Sequence, residues 1–392
     1  MKVIRNLSRI LLGLVFMFSG FVKAVDPLGS QYKFTDYFLA FGVDFFVPAA
    51  LIFGFILFTI EFVLGVAFVF NIRIKQMSWV MLLFMTFFTI LTFVLALTNA
   101  VSDCGCFGDA IVLSNWATFY KNIVLMVFVL VVFFTRKKFV NKTHPLFQLI
   151  IVLLGLGISI GVGSYALRHL PPIDFMPWSK GTLIAEKILP TPEIAEIKLV
   201  YKNTETGEML EYTSKTLPWQ DTVFFKKLEF VDQKKTIIQE YKDAPIHDFI
   251  IDDQDQNSHN LEIIGNPEWQ FILVCYDLDE ASRKAFAGIN ALATDCIKDS
   301  ISFVCLTGSD WQKVAAFRNE LKTGFEFYTV DETALKSVVR SNPGLILLRE
   351  GVVVDKWAWR DIPAYSKFKE NQTEYLNLVN VVKIDSIQTA KP

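Results

Sequence analysis

Two kinds of residue in this 392-residue chain could do chemistry by type and spacing. One is a pair of thiols one residue apart, Cys104-Gly105-Cys106; the other is charge set among apolar residues, Glu61 and Lys23. The thiols lie in Ser102-Asp103-Cys104-Gly105-Cys106-Phe107-Gly108-Asp109, where two of the five cysteines fall close together. Gly105 removes a side chain and permits unusual backbone angles, which a sulfur-to-sulfur closure over so short a span requires. Such a ring would be strained and easy to reduce, and strained exposed bridges are the labile or catalytic kind. Three other readings stay open. A metal site needs more ligands than two thiolates, no His lies in the loop, and Asp103 and Asp109 suit a sulfur-rich zinc site poorly. A permanent bridge here would remove little chain entropy. Two reduced, inert thiols are the third reading. Asp103 and Asp109 would each raise a thiol pKa, whereas Lys121, near the start of the following helix, would offset them as a thiolate stabiliser.

A carboxylate within an apolar span by default faces a bundle interior or a water-filled cavity. Glu61 is therefore a candidate proton relay or quinone contact, with pairing to Asn99 or Thr89 purely to orient helices as the alternative. Lys23, at a helix end, is expected to snorkel to the interface.

The elements that must position these groups are apolar helices. Hydrophobic residues make up 52% of the chain, with 37 Phe, against roughly 45–50% in soluble domains, and the excess lies before Leu170. Crossing a bilayer takes about 20 apolar residues in a helix. Five stretches meet or approach that length: Leu7 to Val22, Phe45 to Phe70, Trp79 to Ala100, Thr118 to Phe134 and Leu146 to Leu167. Every second loop is basic: Lys2, Arg5 and Arg9, then Arg73 and Lys75, then Arg136, Lys137, Lys138 and Lys142. Basic short loops favour the cytoplasm, so the cysteine loop and everything after Arg168 are expected outside. The first stretch also has signal-peptide features ending at Val22-Lys23-Ala24, and cleavage there would leave every later loop on its assigned side. A net charge of −2 indicates no nucleic-acid partner.

Phe18-Ser19-Gly20-Phe21-Val22-Lys23 with the following Asp26-Pro27, Glu61 in the second stretch, and Asp103-Cys104-Gly105-Cys106-Phe107-Gly108 together resemble the DoxX and MauE redox-associated membrane proteins. The resemblance covers about residues 4–135, with Gly105, Phe107 and Gly108 as its structural motif. It implies a four-helix bundle in the bacterial inner (cytoplasmic) membrane. It also implies thiol or quinone redox chemistry, or disulfide formation in exported proteins, with a membrane quinone as cofactor. The fifth stretch departs from that pattern and reads as a tether.

After Leu170-Pro171-Pro172 the composition becomes that of a globular region. Ala195 to Asn203 and Glu208 to Thr213 alternate around Thr204-Glu205-Thr206-Gly207 and predict a hairpin. From Ile246 the expected order is a hairpin to Ile264, a strand Phe271 to Tyr276, a helix Glu280 to Ile297, a strand Ile301 to Leu306 and a helix from Trp311. Strands Gly344 to Leu348 and Val352 to Trp357 follow. This alternation argues for an α/β or α+β domain, and it resembles the thioredoxin-like fold over about residues 245–383. Pro343 stands where that family has its cis-proline. The family's thiol pair is replaced by Asp277-Leu278-Asp279-Glu280. Cys275 and Cys305 read as buried hydrophobes, and Cys296, near a helix end, as exposed.

The sequence thus predicts an α-helical membrane bundle (1–138), a fifth tethering helix (139–170), an extracytoplasmic strand-rich linker (171–244) and an α/β thioredoxin-like domain (245–392). Its expected function is that of a thiol-disulfide or quinone-linked oxidoreductase component. Cys104 and Cys106 would exchange with an exported thiol-containing protein. The alternative is a non-enzymatic scaffold whose outer domain binds a client.

Overall fold

Apolar runs without an internal breaker satisfy their backbone amides most simply as helices. In the computed structural model, which describes residues 2–140, 143–191, 193–213, 215–241, 243, 246 and 248–389, the first half of the chain forms six long helices, five of them from such runs. The helices are α1 (Lys2–Val25), α2 (Pro27–Ala40), α3 (Ala50–Val69), α4 (Ile74–Thr98), α5 (Asn115–Thr135) and α6 (Pro145–Arg168). Lys142, His247 and the expected domain junction at 244–245 lie outside the described residues. Among the described residues five spans are long and apolar enough to cross a membrane: Lys2–Val25, Asp44–Val69, Ile74–Thr98, Asn115–Lys138 and Pro145–Arg168.

Between the first two apolar stretches, where composition offers no membrane-length run, the chain still forms α2. Pro27 opens its first turn, and the Asp26 carboxylate accepts a hydrogen bond from the Gly29 amide at 2.9 Å, a regular N-cap. Its Phe34 and Phe38 pack on Phe53 of α3. Packing of α1 on α3 is close because small residues meet there. A Cβ on Gly65 would stand 2.4 Å from the Met17 nitrogen, and one on Gly20 2.5 Å from the Phe62 nitrogen. Leu12, Phe16, Leu64, Phe68, Met81, Met85, Leu125 and Val129 close the core of the bundle. The helix α6 is more than a tether, since it packs on α3, where the Ser159 and Thr59 hydroxyls hydrogen-bond at 3.2 Å.

Beyond the short α7 (Ala185–Ile188), β1 (Ile194–Asn203) and β2 (Met209–Thr213) form the expected hairpin. A third strand absent from the sequence reading, β3 (Leu228–Gln239), pairs with β1 after the short α8 (Thr222–Phe225), giving the order β2-β1-β3. The expected hairpin from Ile246 to Ile264 is not formed. Only isolated bridges tie Asp252 to Ser258 and to Thr329, because Asn257 to Asp255 fold back onto the Asp253 carboxylate, and Asn260–Ile264 is helical (α9).

The larger sheet contains β4 (Trp269–Cys275), β5 (Ser302–Thr307), β6 (Glu326–Thr329), β7 (Gly344–Arg349) and β8 (Val352–Ala358) in the order β6-β5-β4-β7-β8. The first three run parallel; β7 is antiparallel to both β4 and β8. Every residue of β4 is buried, as a central strand covered on both faces must be. The helices α10 (Phe286–Lys298), α11 (Trp311–Leu321) and α13 (Tyr365–Thr389) contribute to the core on one face, while α12 (Glu332–Val338), Trp178 and Phe249 contribute to the other. The first of these helices starts later than Glu280, because Arg283 donates to the carbonyls of Leu278, Asp279 and Ala281 and holds that segment out of helical geometry. Cys296 was expected to be exposed and is fully buried. It shares the helix face of Phe286, Ile289 and Ala293 that packs against the sheet.

Candidate functional site

The cysteine loop begins where Asn99, at φ 48°, ends α4. Asp103 accepts a hydrogen bond from the Gly105 amide at 2.8 Å, and the Gly108 amide donates to the Gly105 carbonyl at 3.0 Å. Gly105 itself sits at φ +62° with the Lys33 side chain across it, so both its backbone angle and its lack of a Cβ are used. Ser114 then caps α5 by accepting from the Ala117 amide at 3.3 Å.

Two other helices pin the loop by its carbonyls. From α2, the Tyr37 hydroxyl donates to the Cys104 carbonyl at 2.7 Å. From α1, the Ser19 hydroxyl donates to the Cys106 carbonyl at 2.7 Å and the Lys23 ammonium donates to the same oxygen. Lys23 does not snorkel. It is 5% exposed and pairs at 2.8 Å with Glu61, itself 6% exposed, while the Ser19 hydroxyl oxygen stands 3.0 Å from the same carboxylate oxygen. Glu61 thus finds its partners on α1, and neither Asn99 nor Thr89 is one of them. A charge in a membrane interior is expensive alone, and here each member of the pair neutralises the other.

The two sulfurs are 3.1 Å apart as free thiols. Cys104 is buried among Leu91, Leu95, Val101 and Tyr37, and both cysteines line a cavity of about 280 Å³. That cavity has a polar end where Ser19, Lys23 and Glu61 bond to one another, further charges at Asp26, Lys33, Asp109 and Lys121, and apolar walls that include Phe84, Phe87, Phe88 and Leu91. Phe107 and Gly108 line it too, and the Lys121 ammonium stands 4.3 Å from the Phe107 ring centre.

The hydrogen bond from Cys104 holds the Cys106 thiol down to about 6; the charges of Lys121 and Lys23 act in the same direction, against burial. The same hydrogen bond, together with burial, pushes Cys104 up. The opposing effect expected from Asp103 and Asp109 is neutralised. Asp103 is paired with Lys33 at 2.6 Å and Asp109 with Arg340 at 2.8 Å. The alkylation rate of Cys106 by a small maleimide is therefore expected to rise through about pH 6 and level off above it, where an ordinary thiol rises near about pH 8.5. Peptide mass spectrometry of samples quenched across that range checks this, and a midpoint near the ordinary value would contradict the geometry.

Residues 1–135 match the family described as methylamine utilisation protein MauE. The MauE-like region ends with α5 and contains the whole cavity lining together with the cysteine loop. No curated protein and no solved structure matches the chain.

Of the residues singled out in the sequence, Cys104, Gly105, Cys106, Phe107, Gly108, Glu61 and Lys121 come together around this cavity. Pro343 does not. It follows a cis peptide bond at the start of β7, in the sheet domain. Sequence reasoning missed Ser19 and Tyr37 and misplaced Lys23, although Ser19 and Lys23 stand four apart on α1 and so share a face. Arg340 carried no local signal at all.

Proposed function

We propose that Cys104 and Cys106 form a membrane-borne dithiol/disulfide centre that takes two electrons from the thiols of an exported protein. The observation that carries this reading is a pair of sulfurs in contact at 3.1 Å on the wall of a largely apolar cavity, beside the buried Lys23–Glu61 pair. In the oxidised state a partner thiolate would attack one sulfur of the pair and release the other. Cys106, whose departing thiolate is favoured by the charges of Lys121 and Lys23, is the better leaving group. A second partner thiol then displaces the remaining sulfur, leaving the partner with a disulfide and the chain with two thiols.

Reoxidation needs a two-electron acceptor, and the cavity suits a membrane quinone, with aromatic walls for a ring and the Lys121 ammonium as a donor for one of its oxygens. Such a quinone, when bound, would supply the sink for two electrons and two protons. The chain's own share is to hold the sulfurs beside the polar end, with Glu61 and Lys23 as the groups able to pass protons.

The outer region fits the thioredoxin-like reading through its central β4 parallel to β5 and antiparallel to β7, with the cis Asn342–Pro343 bond before β7. We place that region and the cysteine loop on the extracytoplasmic side of a bacterial inner membrane, opposite the basic loops at Arg73 and Arg136. The divisions at 138, 170 and 244 belong to the same proposal.

Replacing both Cys104 and Cys106 by serine should remove oxidation of an added dithiol peptide by membranes; an unchanged rate would refute the redox role. A second reading, a scaffold without redox turnover, draws support from the sheet domain, whose Cys275, Cys296 and Cys305 are all fully buried. Deleting the chain after Pro171 separates the two. A scaffold would lose everything, whereas the redox core would retain oxidation of a small thiol.

A further inference from the structure

The sheet domain is joined to the cysteine loop by one buried cation. Arg340, with its side chain 7% exposed, reaches Asp109 at 2.8 Å and Asp26 at 2.9 Å. Its guanidinium also stands 5.2 Å from the ring centre of Tyr32, and the Lys336 ammonium approaches the same ring at 5.1 Å. Asp26 and Asp109 both line the cavity that holds the two thiols, so Arg340 is seated at its rim.

The face that the sheet domain turns toward this rim is the one where an open α/β sheet ordinarily places its functional groups, at the carboxyl ends of its parallel strands. Tyr276 directly follows β4, and Arg340 precedes the turn into β7. Yet the segment after β4, Asp277-Leu278-Asp279-Glu280, offers no thiol. A face built to meet a redox centre thus rests against one with nothing to exchange. Any protein that does carry exchangeable thiols must reach the same loop. The anionic seat there favours a partner that presents a cation of its own.

We propose that Asp26, Tyr32 and Asp109 form the docking seat for the exported dithiol protein, and that the chain's own sheet domain, latched by Arg340, is its resting occupant. The inference rests on the redox reading above. Because the occupant is tethered, it re-seats as an intramolecular event and excludes weak competitors. Removing the guanidinium leaves two carboxylates without their cation and releases the domain.

The test uses the full chain in membranes with Cys104→Ser, so that Cys106 alone can react. The probe is a thioredoxin carrying one cysteine as its mixed disulfide with thionitrobenzoate. Attack by the Cys106 thiolate forms a Cys106–thioredoxin disulfide and releases coloured thionitrobenzoate. Adding Arg340→Ala should raise the rate with this protein probe by about tenfold, while the rate with the small reagent dithiobis(nitrobenzoate) stays within about twofold. Equal protein-probe rates with and without Arg340 would overturn the proposal. So would an equal rise with both probes, which would mean altered thiolate chemistry and not altered access. Cys275, Cys296 and Cys305 must stay unreactive until denaturant is added. If Arg340→Ala exposes them, Arg340→Gln, which keeps much of the side-chain volume and removes the charge from the sheet-domain side only, decides by the same two rates. Neither rate depends on turnover, so a chain that proved to have no oxidase activity would still report on the seat.

Discussion

Cys106→Ser is expected to abolish turnover of a dithiol substrate, a fall of at least about 1,000-fold, and to leave a chain whose remaining loop thiol is nearly inert toward disulfide reagents at pH 7. Turnover needs both sulfurs, so Cys104→Ser should cost as much. The two variants part in single-thiol reactivity. In Cys104→Ser the serine hydroxyl can still donate to the Cys106 sulfur, Lys121 and Lys23 still favour its charge, and the thiolate still lines the cavity. In Cys106→Ser the remaining Cys104 stays buried, and burial alone keeps its thiol protonated. Dithiobis(nitrobenzoate) should therefore react at least about 100-fold faster with the former variant than with the latter at pH 7. The reverse ranking would exchange the assigned roles, and equal rates would remove them.

The buried ion pair should show the largest effect on stability. Glu61→Leu leaves the Lys23 ammonium at 5% exposure without its anion, an arrangement that costs about 3–5 kcal/mol. Adding Lys23→Met to Glu61→Leu should recover most of that loss, because two apolar residues of similar volume need no partner. Thermal unfolding of the detergent-purified chain, followed by the exposure of its buried thiols, gives all four corners of this cycle. If the double variant is as unstable as the sum of the singles, the two residues are not coupled.

What could be read from the sequence was whatever depends on neighbouring residues. The five spans are apolar on every face and longer than soluble helices need to be, and the Thr204 to Gly207 turn sits between alternating strands. The helix α2 was lost because Ser30, Gln31, Lys33 and Asp36 interrupt its apolar positions, although Asp26-Pro27 is a helix start by capping and by proline geometry. In the site, the thiols and Glu61 were visible as anomalies of type. Their electrostatics were not, because the compensating charges come from far along the chain. Lys33 lies 70 residues from Asp103, and Arg340 lies 231 from Asp109. Reading Asp103 and Asp109 as opponents of a thiolate was sound for the loop alone and failed once the fold supplied their partners. Lys23 was misread for the same reason, since a lysine at a helix end stays buried only if an anion waits opposite.

The contact of α1 with α3 sets one more property of the site. Gly20 and Gly65 bring the two backbones so close that a shift of α1 by a single residue, about 1.5 Å along its axis, would drive Met17 or Phe62 into the opposing main chain. The glycines therefore act as an index stop. They fix the ammonium of α1 level with the carboxylate of α3, and with that pair the position of the Cys106 carbonyl that both Ser19 and Lys23 hold.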